Sequence, residues 1–153
     1  MDLSDLIEVS AIMPALKANS KKQVLQLLAE KAARITGLPE REIFDTVLRR
    51  EKLGSTGVGN GIAIPHGKLA KLDRLFGMFA RLEQPIDFEA LDGQPVDLIF
   101  LLLAPESAGA DHLKALARIA RLLRDSTIAD RLRESRDAEA IYSVLALPSA
   151  SAA

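Results

Sequence analysis

Apolar residues recur at helical spacing in two early segments of the chain, which a short link joins. The first segment begins at Ser20, which forms a capping-box pattern with Gln23, and it ends at Gly37. Its buried stripe is predicted to consist of Val24, Leu28, Ala32 and Ile35. The second segment opens at Pro39, fades by Gly54 and carries a stripe of Ile43, Phe44, Val47 and Leu48. The pattern predicts two consecutive helices.

Beyond Gly54 the apolar residues form short runs that are typical of strands. Strands are predicted over residues 62–64, 75–82 and 96–103, and the last run is apolar enough to be covered on both faces. Turn chemistry lies between the second and third of these strands, at Pro85, Asp92-Gly93 and Pro95. Helical spacing returns over residues 110–123, 128–132 and 138–145. Helices that flank a buried sheet predict an α/β layered fold.

The third predicted helix divides into an apolar face and a charged face. The apolar face is predicted to contain Leu113, Leu116, Ile119, Ala120 and Leu123, with His112 at its head. The opposite, solvated face is predicted to carry Lys114, Arg118 and Arg121.

Composition narrows the classes of function. At 153 residues the chain fits one domain, and its 48% hydrophobic content suffices for a core. Twenty basic and twenty-one acidic residues give a net charge of −1, which offers no bulk attraction to nucleic acid or anionic lipid. The chain has no cysteine, no secretory pattern at its beginning, and an apolar run of only seven residues at 98–104. We expect a soluble, cytoplasmic protein that does not insert into a membrane.

His66 is one of only two histidines and lies in unusual surroundings. Gly57, Gly59 and Gly61 precede it and leave backbone N–H groups open to an anion, while Pro65 and Gly67 flank the ring. A neutral imidazole can attack a phosphoryl group through one nitrogen while the other is held by a hydrogen bond. These residues leave two interpretations open, a phosphoryl-transfer nucleophile or a histidine that only ends a strand.

Other candidate chemistry is sparser. His112 could face His66 or could simply pack, and Arg50, with Arg49 and Lys52, could bind phosphoryl oxygens or could stabilise a helix end. Lys68 could bind phosphoryl oxygens in the same way, but a solvated loop lysine is the default prediction. The glycines match neither a dinucleotide fingerprint nor a Walker A loop. A metal site and a serine hydrolase are both weakly supported, because paired ligand spacing and a nucleophile elbow are absent.

Three stretches of the chain resemble one bacterial family. They are REKLGSTGVGNGIAIPHGK at 50–68, PIDFEALDGQPVDLIFLLLAPE at 85–106 and DHLKALARIARLL at 111–123. Together they are similar to the phosphotransferase-system enzyme IIA domains of the fructose/mannitol/nitrogen-regulatory type, and most of all to the nitrogen-regulatory members. The resemblance extends from about Leu3 to Leu145, so residues 1–147 are expected to form the domain and residues 148–153 a disordered tail.

The resemblance implies a fold, a site and a function. The fold would be a mixed β-sheet flanked by helices on both faces. His66 would carry the phosphoryl group, with His112 as an auxiliary residue and Arg50 on the phosphoryl oxygens. The phosphate-cradling loop would comprise Gly57, Gly59, Asn60, Gly61 and Gly67.

The implied donor is a histidine-containing phosphocarrier protein of the HPr or NPr type, charged from phosphoenolpyruvate through enzyme I. No nucleotide, metal or other cofactor would be needed. The outputs would be regulatory target proteins such as potassium-transport components or sensor kinases. Two rival functions stay open: a binding module whose histidine is vestigial, and a sugar-transport IIA component that passes the phosphoryl group to a separate IIB.

Overall fold

Six strands form one mixed sheet in the computed structural model, which describes residues 2–147. Their bounds are Ile12–Leu16 (β1), Gly57–Gly59 (β2), Ile62–Ala63 (β3), His66–Leu69 (β4), Phe76–Ile86 (β5) and Val96–Pro105 (β6). The strand order is β1-β5-β6-β3-β2, and β4 also pairs with β6. Pairs β1–β5, β3–β6 and β4–β6 are parallel, whereas β2–β3 and β5–β6 are antiparallel. The predicted tail at 148–153 lies outside the described residues.

Strand β6 is the centre of the sheet. All of its residues except Asp97 are buried, as the apolar run predicted. Strand β5 lies along one side of it, while β3 and β4 lie end to end along the other side. In this arrangement Ile62 is opposite Leu98 and His66 is opposite Leu102. The register on β6 therefore fixes where His66 stands.

Five helices cover the sheet in two groups. Their bounds are Lys21–Thr36 (α1), Glu40–Leu53 (α2), Ala110–Arg124 (α3), Ser126–Glu134 (α4) and Ala138–Leu145 (α5). Helix α1 packs on α2, and α4 packs on both α3 and α5. Short 3-10 helices at Leu3–Asp5 and Val9–Ala11 precede β1. The predicted layered α/β fold, a mixed sheet with helices on both faces, is confirmed.

The predicted ends of the first helix are also confirmed. The Ser20 hydroxyl accepts the Gln23 N–H at 3.1 Å, and Gly37 ends the helix in the left-handed region at φ 78°. The side chain of Gln23 completes the cap on Asn19 rather than on Ser20, at 2.8 Å. Pro39 precedes the first residue of α2 instead of being that residue.

Two prolines lie in strands that the sequence did not predict correctly. Strand β1 was not predicted, because Pro14 interrupts the apolar pattern; the strand lies at the edge of the sheet, where proline is tolerated. Strand β5 runs through Pro85 to Ile86, beyond the predicted end at 82. Its pairing with β6 is irregular between Arg81 and Ile86, so the missing N–H of Pro85 breaks no regular ladder.

The polarity of α3 was predicted wrongly at two positions. Arg118 is 9% exposed rather than solvated, and Leu113 is 67% exposed rather than buried. The buried face consists of His112, Ala115, Arg118, Ile119, Leu122 and Leu123. This face is rotated around the helix relative to the predicted one: Ala115 is buried at 0% exposure, whereas Leu113 points to solvent.

Candidate phosphotransfer site

An open cavity of about 290 Å³ lies where the end of α2 meets the start of β4 and of α3. Its lining combines an arginine pair, a lysine and both histidines of the chain: Thr46, Arg49, Arg50, Leu53, His66, Gly67, Lys68 and His112. Three predicted site residues, Arg50, His66 and His112, are therefore neighbours although they lie on three different elements. Lys68 and Arg49 also line this cavity.

The His66 ring is held in one tautomer. Its Nδ1 lies 2.9 Å from the carbonyl oxygen of Ile64, which can only accept, so Nδ1 carries the proton. Its Nε2 lies 3.3 Å from Nε of Arg50, which can only donate, so Nε2 carries a lone pair. Both partners favour the same neutral ring, in which Nε2 is the nitrogen with the lone pair.

Burial lowers the pKa of His66 below its usual value, and the Arg50 charge lowers it further. The hydrogen bond to the Ile64 carbonyl and the carboxylate of Glu51 act in the opposite direction but do not reverse the shift. The ring is therefore neutral at pH 7, as a nucleophile requires.

Arg50 reaches the site from the last turns of α2. Its Nη1 donates to the Gly54 carbonyl at 2.9 Å, and its Nε donates to His66. Within residues 2–147 its Nη2 makes no hydrogen bond, so one arm of the guanidinium is available to an anion beside Nε2.

His112 stands in the first turn of α3 and faces His66. The two ring centroids are 5.5 Å apart and the ring planes are tilted by 58°. His112 is 8% exposed, and its Nε2 is buried with no hydrogen-bond partner in the described part of the chain. Burial lowers the pKa of His112, and the charges of His66 and Lys68 add to the effect.

Gly67 is required by a close approach of α2. A Cβ at this position would lie 2.7 Å from Cγ2 of Thr46, which is closer than atoms tolerate. The space that a side chain at position 67 would need therefore holds the Thr46 side chain, and α2 approaches β4 closely.

Gly57, Gly59, Asn60 and Gly61, which were predicted to cradle the phosphate, are not among the residues that line the His66 cavity. They form the β2–β3 hairpin, whose turn residues Asn60 and Gly61 have φ of 58° and 79°. Ile62 is opposite Leu98 and His66 is opposite Leu102, so the two are offset by four positions along β6, or about 13 Å. An Asn-Gly pair between short strands is a strong hairpin signal, and it would have revealed this turn.

Two N–H groups of this hairpin have side-chain partners. Asn60 donates to Asp92 Oδ2 and Gly57 donates to Ser55 Oγ, both at 3.0 Å. The Asn60 carbonyl accepts from Nη2 of Arg133 at 2.7 Å. Gly57, Gly59 and Gly61 thus form a hairpin that is hydrogen-bonded to Asp92 and Arg133 at the end of the sheet away from His66.

Sequence reasoning missed Thr46 and Glu51. Thr46 gave no signal, since its role depends on the packing of α2 on β4. Glu51 was missed because a glutamate near the end of a helix is expected to be solvated, whereas this one is only 6% exposed.

Searches for two other kinds of feature gave negative results within residues 2–147. No three His, Cys, Asp or Glu side chains gather there in a way that could hold a metal ion. None of the helices described there has the length and apolar character needed to cross a membrane.

The chain matches a known family over almost all of its length. Residues 5–147 match the family described as "Phosphoenolpyruvate-dependent sugar phosphotransferase system, EIIA 2". The chain belongs to this family, and so to a class of phosphotransfer proteins.

Relatives identify the branch of the family. The chain is 71% identical to the nitrogen regulatory protein of Bradyrhizobium diazoefficiens, with both chains covered in full. It is 43% identical to that of Escherichia coli, over 95% of this chain and 90% of the relative. The crystal structure of nitrogen regulatory protein IIA-Ntr from Neisseria meningitidis superposes with a TM-score of 0.89 at 36% identity, covering 94% and 98% of the two chains. Within its family the chain is of the nitrogen-regulatory type.

Proposed function

We propose that Nε2 of His66 accepts a phosphoryl group from a histidine-containing phosphocarrier protein of the HPr or NPr type. The observation that carries the proposal is the lone pair on Nε2, which faces both Arg50 and an open cavity. In this proposal the phosphorylation state of His66 then decides which target proteins the chain binds. Potassium-transport components and sensor kinases are the targets that the family resemblance implies.

The step is an exchange of one N–P bond for another. The Nε2 lone pair forms a bond to phosphorus in line with the donor's N–P bond, and that bond's electron pair returns to the donor ring. The proton on Nδ1 of His66 stays there throughout and remains hydrogen-bonded to the Ile64 carbonyl. Because the phosphoryl group arrives already activated on a histidine, we propose that neither a nucleotide nor a metal is needed.

Charge stabilisation comes from groups that already face His66. Arg50 exchanges its bond to the lone pair for bonds to phosphoryl oxygens, which its planar fork suits. The buried Nε2 of His112 lacks a partner in the described residues, and the His112 ring lies 5.5 Å from the His66 ring, so we propose that this nitrogen turns to the transferred group. Positioning and electrostatics of this kind supply most of the catalysis in phosphoryl transfer.

Two exposed leucines support a protein as the donor. Leu53, 83% exposed, lines the cavity from α2, and Leu113, 67% exposed, follows His112 on α3. They offer apolar contacts beside the reactive nitrogen, while Arg49 and Lys68 supply positive charge to a partner.

The test is phosphoryl transfer from labelled phosphoenolpyruvate through enzyme I and the phosphocarrier. Wild-type protein should take up label, and His66→Ala should take up none. His112→Ala should keep its circular dichroism spectrum but accept label at least about tenfold more slowly, in line with the loss of one stabilising group. Label that survives His66→Ala would exclude His66 as the acceptor, and a normal rate in His112→Ala would reduce His112 to a packing residue.

The same assay separates the rival functions. A binding module with a vestigial histidine would take no label in the wild-type form. A transport component would pass label on to a sugar when a fructose- or mannitol-type IIB is added. We expect label to remain on the protein and to change its affinity for a regulatory target.

A further inference from the structure

Glu51 is a buried carboxylate that follows Arg50 directly but does not line the His66 cavity. It faces instead a larger cleft of about 580 Å³ between α1 and α2. Its carboxylate accepts from the Thr56 N–H at 3.1 Å and from the Thr56 hydroxyl. A carboxylate removed from water needs such partners to remain charged.

Lys21 supplies the counter-charge to Glu51. Its Nζ lies 2.9 Å from Oε1 of Glu51, and only 16% of the Lys21 side chain is exposed. The same Nζ lies 4.8 Å from the centre of the buried Phe88 ring and 3.6 Å from Glu89. The beginning of α1 is thereby joined to the end of α2.

Arg50 and Glu51, which are consecutive on α2, each bind a different residue of the turn that follows this helix. Arg50 Nη1 binds the Gly54 carbonyl at 2.9 Å, while Glu51 binds the N–H and hydroxyl of Thr56. The Gly54 carbonyl thus anchors one arm of the guanidinium whose Nε donates to Nε2 of His66. Glu51 anchors the same turn two residues further on, at Thr56.

The other end of the turn leads to His66. The Thr56 carbonyl accepts the Ile64 N–H at 3.0 Å, and the Ile64 carbonyl accepts Nδ1–H of His66 at 2.9 Å. A continuous series of hydrogen bonds thus runs from Glu51 through Thr56 and Ile64 to the ring.

We propose that Glu51, with Lys21 as its counter-ion, is a positioning residue that fixes Arg50 and the His66 ring relative to each other. The proposal rests on the proposed phosphoryl transfer to His66. Glu51 touches neither reacting atom, so its contribution belongs to the rate of transfer and not to donor binding.

The test is Glu51→Gln, which keeps the shape of the side chain but removes the charge that pairs with Lys21. At saturating phosphocarrier the transfer rate should fall about tenfold, because misplacing a catalytic group by roughly 1 Å can cost up to roughly 100-fold. The KM for the phosphocarrier should stay within about twofold, because Glu51 lies outside the His66 cavity. Glu42→Gln is the matched control: it removes the same charge from the exposed face of α2, where Glu42 meets only Lys71, and should leave both values unchanged.

Nitrogen-15 NMR of the His66 ring gives a readout that needs no donor. Because loss of the Glu51 charge also lowers the pKa of His66, the spectra are compared at about pH 8.5, where the ring is neutral in every variant. There the Nε2 signal of Glu51→Gln should shift as Arg50 loosens, while Glu42→Gln should keep the wild-type signal. If wild type accepts no label, the proposed function fails and the NMR signal decides the role of Glu51 alone. If wild type accepts label and folded Glu51→Gln accepts it equally fast, the positioning role is excluded.

Thr56→Val covers the case in which Glu51→Gln does not fold. It removes the hydroxyl bond to Glu51 but keeps the ion pair with Lys21 and the Thr56 backbone bonds. Transfer should slow about threefold, roughly the effect of one lost hydrogen bond of modest net strength. A wild-type rate together with an unchanged His66 signal in this variant would overturn the proposal.

Discussion

At the scale of single residues, the tautomer of His66 follows from two hydrogen bonds whose directions are fixed by their partners. A carbonyl on one side can only accept, and a guanidinium N–H on the other can only donate, so the proton has one place on the ring. Burial then disfavours the charged form and lowers the pKa of the ring. Two residues, Ile64 and Arg50, together with burial, thus favour the neutral form of the ring that the proposed transfer requires.

The lowered pKa values of His66 and His112 predict how stability depends on pH. Both rings hold protons less tightly in the folded protein than in the unfolded chain, so the unfolded state binds more protons below the usual histidine pKa of about 6.5. Above about pH 6.5 both histidines are neutral in the folded and the unfolded state, so the free energy of unfolding should be at its maximum with respect to these two groups. It should decrease as the pH is lowered from about 6.5 towards the pKa values of the folded state. Urea denaturation at several pH values between about 7.5 and 5.5 measures this.

The control for this prediction is a His66→Gln/His112→Gln double variant, because these are the only histidines in the chain. Its free energy of unfolding should depend less on pH over the same range. A double variant with the same pH dependence as wild type would show that other groups cause the loss.

At the scale of elements, the site depends on how closely α2 approaches β4. Thr46 of α2 fills the space that a side chain at position 67 would need, and Arg50 lies one turn further along the same helix. The spacing between the helix and the strand, more than the loop before His66, decides whether arginine and histidine meet.

Gly67→Ala tests this close approach. The added Cβ would meet Cγ2 of Thr46 at 2.7 Å and push α2 away from β4. We expect a loss of about 1–3 kcal/mol in the free energy of unfolding, typical of overpacking, and a slower phosphoryl transfer. Urea denaturation and the labelling assay measure the two effects.

Thr46→Ser in the same chain provides the rescue, because it removes the methyl group in question and keeps the hydroxyl. The double variant should regain most of the stability and rate that Gly67→Ala loses. If the rescue fails although Gly67→Ala is impaired, the contact with Thr46 is not the reason for glycine at this position.

At the scale of the whole molecule, β6 separates a reactive end from a structural end of the sheet. His66 pairs opposite Leu102, whereas the β2–β3 hairpin meets β6 near Leu98. Arg133 fastens the hairpin, since its guanidinium binds Asp97 with Nε 2.9 Å from Oδ2 and also binds the Asn60 carbonyl. Arg81 in turn binds the Arg133 carbonyl at 2.9 Å.

Arg133→Met should therefore lower stability without slowing phosphoryl transfer. The loss of charge-assisted hydrogen bonds at a partly buried position should cost about 1–3 kcal/mol of the free energy of unfolding. The transfer rate should match that of wild type under conditions where the variant is folded. Arg131→Met, an exposed arginine on the same helix, is the control and should change neither quantity.

A slower transfer in folded Arg133→Met would mean that the hairpin acts on His66 after all. It would restore a functional role for Gly57, Gly59, Asn60 and Gly61 that their placement does not support.

The sequence by itself determined the elements whose cause is local. Helical spacing, the Ser20 cap and the Gly37 stop defined α1, and the continuous apolar run defined β6 as a strand covered on both faces. The motif around His66 marked it as a candidate for phosphoryl transfer, and the family resemblance added Arg50 and His112, both of which lie beside the ring.

Only the tertiary structure decided which residues share the site. The Asn60-Gly61 turn is local, but its distance from His66 depends on the register of β3 and β4 along β6. The burial of Arg118, the contact of Gly67 with Thr46 and the partners of Glu51 all join residues from separate elements. Spacing along a chain encodes which face of a helix is apolar, but the approach of two elements depends on the packing of every side chain between them.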